Sequence, residues 1–211
     1  MEEENISVVV RIRPLQSFEK ENGETSCVKA ASGGKEVHVK VGPQEAQVFS
    51  CNKCFGKETK QTPFFEESGI TSLLDSAIEG YKVCAFAFGQ TGAGKTYTVV
   101  GPWSSIIPNH ENDGMLGRSL NYIFDKLDCL NTKFTVKISC LEIYHEHVYD
   151  LFSEEKERTS LQVREHQTDG FFLEGSKLIE CATKKAAFKQ VLRLINAFGI
   201  VHNVTKLILQ L

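Results

Sequence analysis

An apolar run, Val83–Phe88, leads straight into Gly89-Gln90-Thr91-Gly92-Ala93-Gly94-Lys95-Thr96, and this junction constrains the chain more than any other stretch. The octet fits G-x-x-x-x-G-K-S/T at every fixed position, the pattern of a loop that cradles phosphate. Glycines let the backbone turn so that successive N–H groups converge on phosphate oxygens. A helix starting at Lys95 adds partial positive charge at its N-terminus. In such a loop Lys95 reaches the β- and γ-phosphates, and the Thr96 hydroxyl ligates Mg²⁺. Chance alone produces the four fixed positions in roughly one chain in a hundred of this length. The apolar run also predicts a short buried strand before the loop, which is the context the motif requires.

The 211 residues suit one domain, or most of one, able to bury about 70% of its unfolded surface. Hydrophobic residues at 41% and charged residues at 24% fit an ordinary soluble globular protein. A formal net charge of −3 gives no reason to expect a nucleic-acid partner. The acidic start, Met1-Glu2-Glu3-Glu4-Asn5, is unlike a signal peptide. No apolar run approaches the roughly eighteen residues of a spanning helix, so no membrane insertion is expected. Seven scattered cysteines, an odd number, suit a reduced cytosolic protein better than a disulfide framework.

Ile6–Ile12 is β-branched and reads as a buried strand, closed by Arg11-Ile12-Arg13-Pro14. The two arginines suit either solvated surface or the edge of a ligand site. Residues 16–34 are polar and loop-like. Glu36–Val41 alternates as a half-buried strand, and another short strand follows around Val48-Phe49. Cys51-Asn52-Lys53-Cys54 has no second pair at metal spacing, so two small buried hydrophobes is the simpler reading. The next segment predicts one helix, with Thr62 as N-cap, Pro63 at the first helical position and Gly80 as its end. Its apolar stripe runs through Ile70, Leu73, Leu74, Ala77, Ile78 and Tyr81. Helix, buried strand, glycine turn and helix together imply an α/β fold with a mainly buried sheet.

After the loop, Leu116, Leu120, Ile123, Phe124 and Leu127 mark a second amphipathic helix. Residues 133–140 alternate as a strand that extends through Tyr144 toward Val148–Phe152. His145 and His147 flank Glu146, with no third ligand nearby, which favours a solvated loop over a metal site. Glu154–Arg158 reads as a charged, solvated connector. Leu161–Glu165 and Phe171–Leu173 are strand candidates around the turn signal Asp169-Gly170. A last helix begins near Thr183, presents Phe188, Val191, Leu192, Ile195 and Phe198, and stops at Gly199. Beyond it, Ile200, Val201, Val204, Leu207, Ile208 and Leu211 again fall at helical spacing, either as core or as a surface awaiting a partner.

Several stretches together resemble the kinesin motor domain. The loop and its flanks read Phe-Ala-Phe-Gly-Gln-Thr-Gly-Ala-Gly-Lys-Thr-Tyr-Thr98, where the family has F-A-Y-G-Q-T-G-S/A-G-K-T-Y/F-T. Arg11-Ile12-Arg13-Pro14 matches the family's R-I/V-R-P. Leu141-Glu-Ile-Tyr-His-Glu-His-Val-Tyr-Asp-Leu-Phe152 is similar to L-E-I-Y-N-E-x-V-Y-D-L-L, and Leu161-Gln-Val-Arg-Glu165 to L-x-I/V-R-E. The agreement runs in order from about Ile6 to Gly199.

The resemblance implies a P-loop NTPase-type central mixed sheet flanked by helices on both faces. It implies a motor-like domain over 5–199 and an atypical apolar tail over 200–211. ATP and Mg²⁺ are the implied cofactors, held by Gly89, Gln90, Thr91, Gly92, Ala93, Gly94, Lys95 and Thr96, with Thr96 on the metal. Arg11, Arg13 and Pro14 would lie beside the adenine, and Tyr97 would place its ring against the base. The segment Phe49–Phe55 aligns with F-x-F-D-x-V-F, which puts both cysteines at apolar core positions. Microtubules are the implied partner, and cytoplasm and cytoskeleton the implied location. The family's S-S-R-S-H and D-L-A-G-S-E segments do not occur in this sequence. Those segments carry its γ-phosphate sensors and an acidic residue near Mg²⁺, so no catalytic residue is assigned. A non-motile nucleotide-binding form is the alternative reading, and an unrelated phosphate-loop enzyme such as a small-molecule kinase is a third.

Overall fold

A computed structural model describes residues 6–102, 111–130, 134–154, 159–168, 170–198 and 204–210. Of the expected features, Asp169, connector residues 155–158, the Gly199 stop, and Ile200, Val201 and Leu211 lie outside those residues. The chain opens with β1 (Val9–Arg11), shorter than expected, with Ile6 and Val8 exposed. Within 16–34, read from sequence as loop, lie α1 (Ser17–Glu21) and β2 (Val28–Ala30). Helix α1 is a single turn closed by a reciprocal capping box between Gln16 and Glu19, a signal too short for periodicity to reveal. Strand β2 joins β3 (Glu36–Val39) and β4 (Gln47–Ser50) in an antiparallel meander. Strand β5 (Lys53–Phe55) then pairs in parallel with β1, placing Arg11 opposite Phe55. Cys54 is buried there, whereas Cys51 is half-buried.

The helix expected from Thr62 to Gly80 is two helices, α2 (Gln61–Glu67) and α3 (Ile70–Ile78). Gly69, at φ +86°, turns left-handed between them, a conformation that ends one helix and starts the next without Cβ strain. Lys60, not Thr62, is the N-cap. Pro63 therefore sits one turn in, where its missing N–H is still no loss.

The buried strand expected over Val83–Phe88 is not formed. These residues join no ladder, and Phe86 and Phe88 are 80% and 94% exposed. An apolar run becomes a buried strand only when neighbours satisfy its amides and cover its faces. Among the described residues, none does. The α/β class holds, but β1–β5 and the sheet around β6 stand as separate pieces among those residues.

The core lies further on. Helix α4 (Lys95–Val99) follows the glycine loop, and α5 (Met115–Cys129) buries Leu120, Ile123, Phe124 and Leu127 as its spacing predicts. Strand β6 (Val136–Tyr144) turns at His145-Glu146 into β7 (His147–Asp150). Both turn residues have positive φ, 48° and 66°, as the tight two-residue hairpin demands. The two histidines thus share no strand face, and no metal-ligating cluster occurs among the described residues. Strands β8 (Gln162–His166) and β9 (Gly170–Glu174) form the expected hairpin. Strand β10 (Ile179–Cys181) lines one edge of β6, and α6 (Lys184–Phe198) covers the sheet with Ala187, Phe188, Val191 and Leu194.

The tail is a strand, β11 (Val204–Gln210), not a helix. It pairs antiparallel with β6 over seven residues, Val204↔Ile143 to Gln210↔Lys137. Its apolar residues also suit a strand, and the unpaired edge of β6 decides between the two periods.

The cysteines give a direct test of this burial pattern. Burial pushes the Cys140 thiol up to about 12, with Asp150 and Glu142 adding to the shift. Cys140 and Cys181 are buried, whereas Cys84, in the unpaired run, is exposed. A thiol reagent at neutral pH should therefore modify Cys84 in the folded chain and spare Cys140 and Cys181. Peptide mapping by mass spectrometry checks this, and protection of Cys84 would contradict the exposed placement of Val83–Phe88.

Candidate phosphate-binding site

The glycine loop has the backbone its sequence requires. Gly92 and Gly94 have φ of +82° and +94°, which only glycine adopts without strain. Ala93 N–H donates to the Gln90 carbonyl at 3.1 Å, closing the turn. Helix α4 begins at Lys95 with no side chain capping it. Its first-turn amides have no intrahelical acceptor, so they remain available to an anion. The Lys95 ammonium folds back onto the Gly89 and Gln90 carbonyls, at 2.8 and 2.9 Å. A cation held by two neutral carbonyl acceptors can exchange them for phosphate oxygens. Thr96 follows on the first turn, half-buried. These features fit a phosphate group with Mg²⁺ at Thr96.

The loop is anchored from both sides. The far end of α4 runs into the start of α5, where a Cβ on Gly114 would come within 2.5 Å of the Val99 carbonyl oxygen. On the other side a Cβ at Gly94 would meet the Arg13 Cβ at 3.7 Å, so the β1 end abuts the loop.

Arg11 is half-buried and spends its donors inside the protein. Nη1 donates to Gln61 Oε1 at 2.7 Å and Thr98 Oγ1 at 3.2 Å, and Nη2 donates to the Thr59 carbonyl at 3.1 Å. Its guanidinium carbon lies 4.5 Å from the Phe64 ring centroid and 5.2 Å from that of Tyr97. Burial draws the Arg11 pKa below its ordinary value, against the field of Tyr97, yet a guanidinium stays charged. Tyr97 is 47% exposed, with Arg11 5.2 Å from its ring centroid. Pro14, three residues beyond β1, is exposed.

Arg13 makes a bidentate pair with Glu19, Nη1 to Oε2 at 2.7 Å and Nη2 to Oε1 at 2.5 Å. Glu19 also accepts from the Gln16 amide at 2.7 Å. Arg13 first, and that amide second, hold the Glu19 carboxyl at about 2, against an ordinary value of 4.5. A depressed carboxylate pKa stabilises the fold above its unfolded value and loses that contribution as pH falls toward the folded one. The stability difference between the parent chain and Glu19→Gln should thus be constant above pH 5 and close between about pH 4.5 and 2. Thermal unfolding across that range checks it. A difference that persists at pH 2 would mean the pair contributes nothing through its charge.

Of the residues singled out from sequence, Gly89–Thr96 form the loop, Tyr97 follows on α4 with Arg11 5.2 Å from its ring, Arg13 abuts Gly94, and Pro14 lies exposed beside Arg13. Sequence reasoning missed Gln61, Thr98 and Glu19. Gln61 reads in sequence as one more polar residue at a helix start, and nothing local marks it as a bridge.

A glycine loop on an α/β scaffold, followed at once by a helix and backed by an arginine–aromatic cluster, defines a phosphate-loop protein. Comparison with known proteins narrows the class. The family model for the kinesin motor domain matches residues 11–198, and the chain belongs to that family. It is 39% identical over 157 residues to kinesin-like protein KIF11-A of Xenopus laevis, covering 71% of this chain and 15% of the relative. It is 36% identical over 173 residues to a kinesin heavy chain of Syncephalastrum racemosum, covering 81% and 18%. It is 35% identical over 185 residues to kinesin-like protein 3 of Schizosaccharomyces pombe, covering 87% and 32%. A solved structure, described as that of a fast kinesin with implications for its ATPase mechanism and microtubule interactions, superposes with a TM-score of 0.82 at 28% identity. That match covers 97% of this chain and 58% of the solved one. The chain thus spans less than a third of the length of these sequence relatives.

Proposed function

We propose that this chain is the ATP-binding part of a kinesin-like microtubule motor. In the intact protein, ATP hydrolysis would drive movement along microtubules, in the cytoplasm and on the cytoskeleton. The observation that carries this reading is the Gly89–Thr96 loop, with left-handed Gly92 and Gly94 and the Lys95 ammonium held by the Gly89 and Gln90 carbonyls. Gly89–Thr96 would hold the phosphates, and Tyr97, Arg11, Arg13 and Pro14 would lie on the base side. Bound Mg²⁺, taken at the Thr96 hydroxyl, would offset phosphate charge. On this reading 5–199 is the motor-like unit and 200–211 an atypical apolar tail, of which β11 (Val204–Gln210) pairs with the β6 edge.

A second reading concerns the 211 residues alone: a nucleotide-binding form without motility. Two observations favour it. The S-S-R-S-H and D-L-A-G-S-E segments are not in the sequence. The run Val83–Phe88, which leads into the loop, has no ladder partner among the described residues. Phosphoryl transfer depends on positioning and electrostatics around the γ-phosphate, and on this reading these 211 residues would hold the phosphates without promoting their hydrolysis. Phosphate release from Mg-ATP, measured with and without microtubules, should remain slow and unstimulated. Microtubule-stimulated turnover by these residues would contradict the second reading and favour the first for this chain itself.

A further inference from the structure

Gln61 is 2% exposed, a fully buried polar side chain far in sequence from the glycine loop. Its carboxamide joins three segments. Oε1 accepts from Arg11 Nη1 at 2.7 Å, on β1. Nε2 donates to the Tyr97 carbonyl at 2.7 Å, on α4, and to the Asn112 carbonyl at 3.3 Å, just before α5. The partners fix which end of the amide is which, because a guanidinium only donates and a backbone carbonyl only accepts. Helix α4 is only five residues long, so most of its carbonyls have no helical donor. Gln61 satisfies the one at Tyr97. The same side chain holds Arg11, whose guanidinium lies behind the Tyr97 ring. One carboxamide therefore bonds both to α4 and to the cation that backs its exposed ring.

We propose that Gln61 is a positioning residue for the base half of the nucleotide site, fixing the Tyr97 ring and Arg11 as one unit. The inference rests on the reading of Gly89–Thr96 as a nucleotide-phosphate site. Gln61 itself is buried, with both ends of its amide engaged by protein groups. Its bridge ties α4 to β1 and to the chain ahead of α5, whereas the Lys95 ammonium is held by the loop carbonyls. Losing the bridge should therefore weaken the base contact and leave phosphate capture largely intact.

The test compares Mg-ATP with Mg-tripolyphosphate, which carries the phosphates and no base, by calorimetry on the full chain. The parent should prefer Mg-ATP. In Gln61→Met, which keeps the side-chain length and loses all three hydrogen bonds, that preference should fall about tenfold, the scale of one lost positioning interaction. Tripolyphosphate affinity should stay within about twofold of the parent. If thermal melting shows that Gln61→Met does not fold, Gln61→Glu carries the comparison. It keeps the acceptor for Arg11 and sets a carboxylate against the Tyr97 carbonyl, so the same collapse of preference is expected. A merely structural role would weaken both ligands by one factor, and an unchanged ratio in a folded variant overturns the proposal. A parent chain that binds tripolyphosphate with no preference for ATP overturns it too. A parent that binds neither ligand removes the phosphate-site reading beneath it.

Discussion

Truncating Phe124 to alanine should cost about 3–5 kcal/mol, the range for deleting a buried aromatic ring. Phe124 is 1% exposed, at the centre of the cluster formed by α5, β6 and α6, and its ring meets Phe134 edge-on at 6.1 Å. A domain's whole stability is about 5–15 kcal/mol, so this one change takes a large share of it. The urea midpoint should fall by roughly 2 M at an ordinary slope for a small protein. Phe171→Ala is the matched control. That ring, on β9, is 76% exposed, and its removal should shift stability by no more than about 0.5 kcal/mol. Equal losses from the two variants would show that the core does not lie between α5, β6 and α6.

Replacing Lys95 by alanine should weaken Mg-ATP binding about 10- to 100-fold. The ammonium is placed for charge-assisted contacts, each worth about 1.5–3 kcal/mol, and about 1.4 kcal/mol is tenfold in affinity. The fold should hardly respond. Among the described residues the Lys95 ammonium bonds to its own loop, at the Gly89 and Gln90 carbonyls, so the variant should melt near the parent temperature. Equal affinities for parent and Lys95→Ala would remove Lys95 from its assigned role.

How far the sequence spoke depended on whether each feature was local. The phosphate loop was legible because its residues are contiguous and its glycines are demanded by the turn itself. Helices α5 and α6 were legible because each carries its own apolar stripe. The β8–β9 hairpin was legible from a turn signal between two short strand candidates. Where the outcome depended on distant partners, local reading failed. Val83–Phe88 has the composition of a buried strand, but a strand is completed by neighbours, and its own residues do not provide them. The tail had apolar residues compatible with either period, and the edge of β6 made it a strand. The Thr62–Gly80 segment carried one stripe, yet Gly69 divided it.

The site shows the same division. Gly89–Thr96 and Tyr97 follow one another along the chain, so the motif delivers them together. The backing of the site is assembled from β1, the start of α2 and the residue before Asp113, brought together only by folding. Arg11 was singled out from sequence, but not that its donors are committed to Gln61, Thr98 and Thr59. Arg13 was singled out likewise, and its bidentate bond to Glu19 belongs to a one-turn helix invisible to periodicity.

Titration of Mg-ATP into the full 211-residue chain by calorimetry, with circular dichroism confirming that it is folded, is the most direct measurement of the Gly89–Thr96 loop. A single saturable site is the predicted result. A folded chain that gives no saturable heat with Mg-ATP would contradict the reading of that loop as a nucleotide-phosphate site.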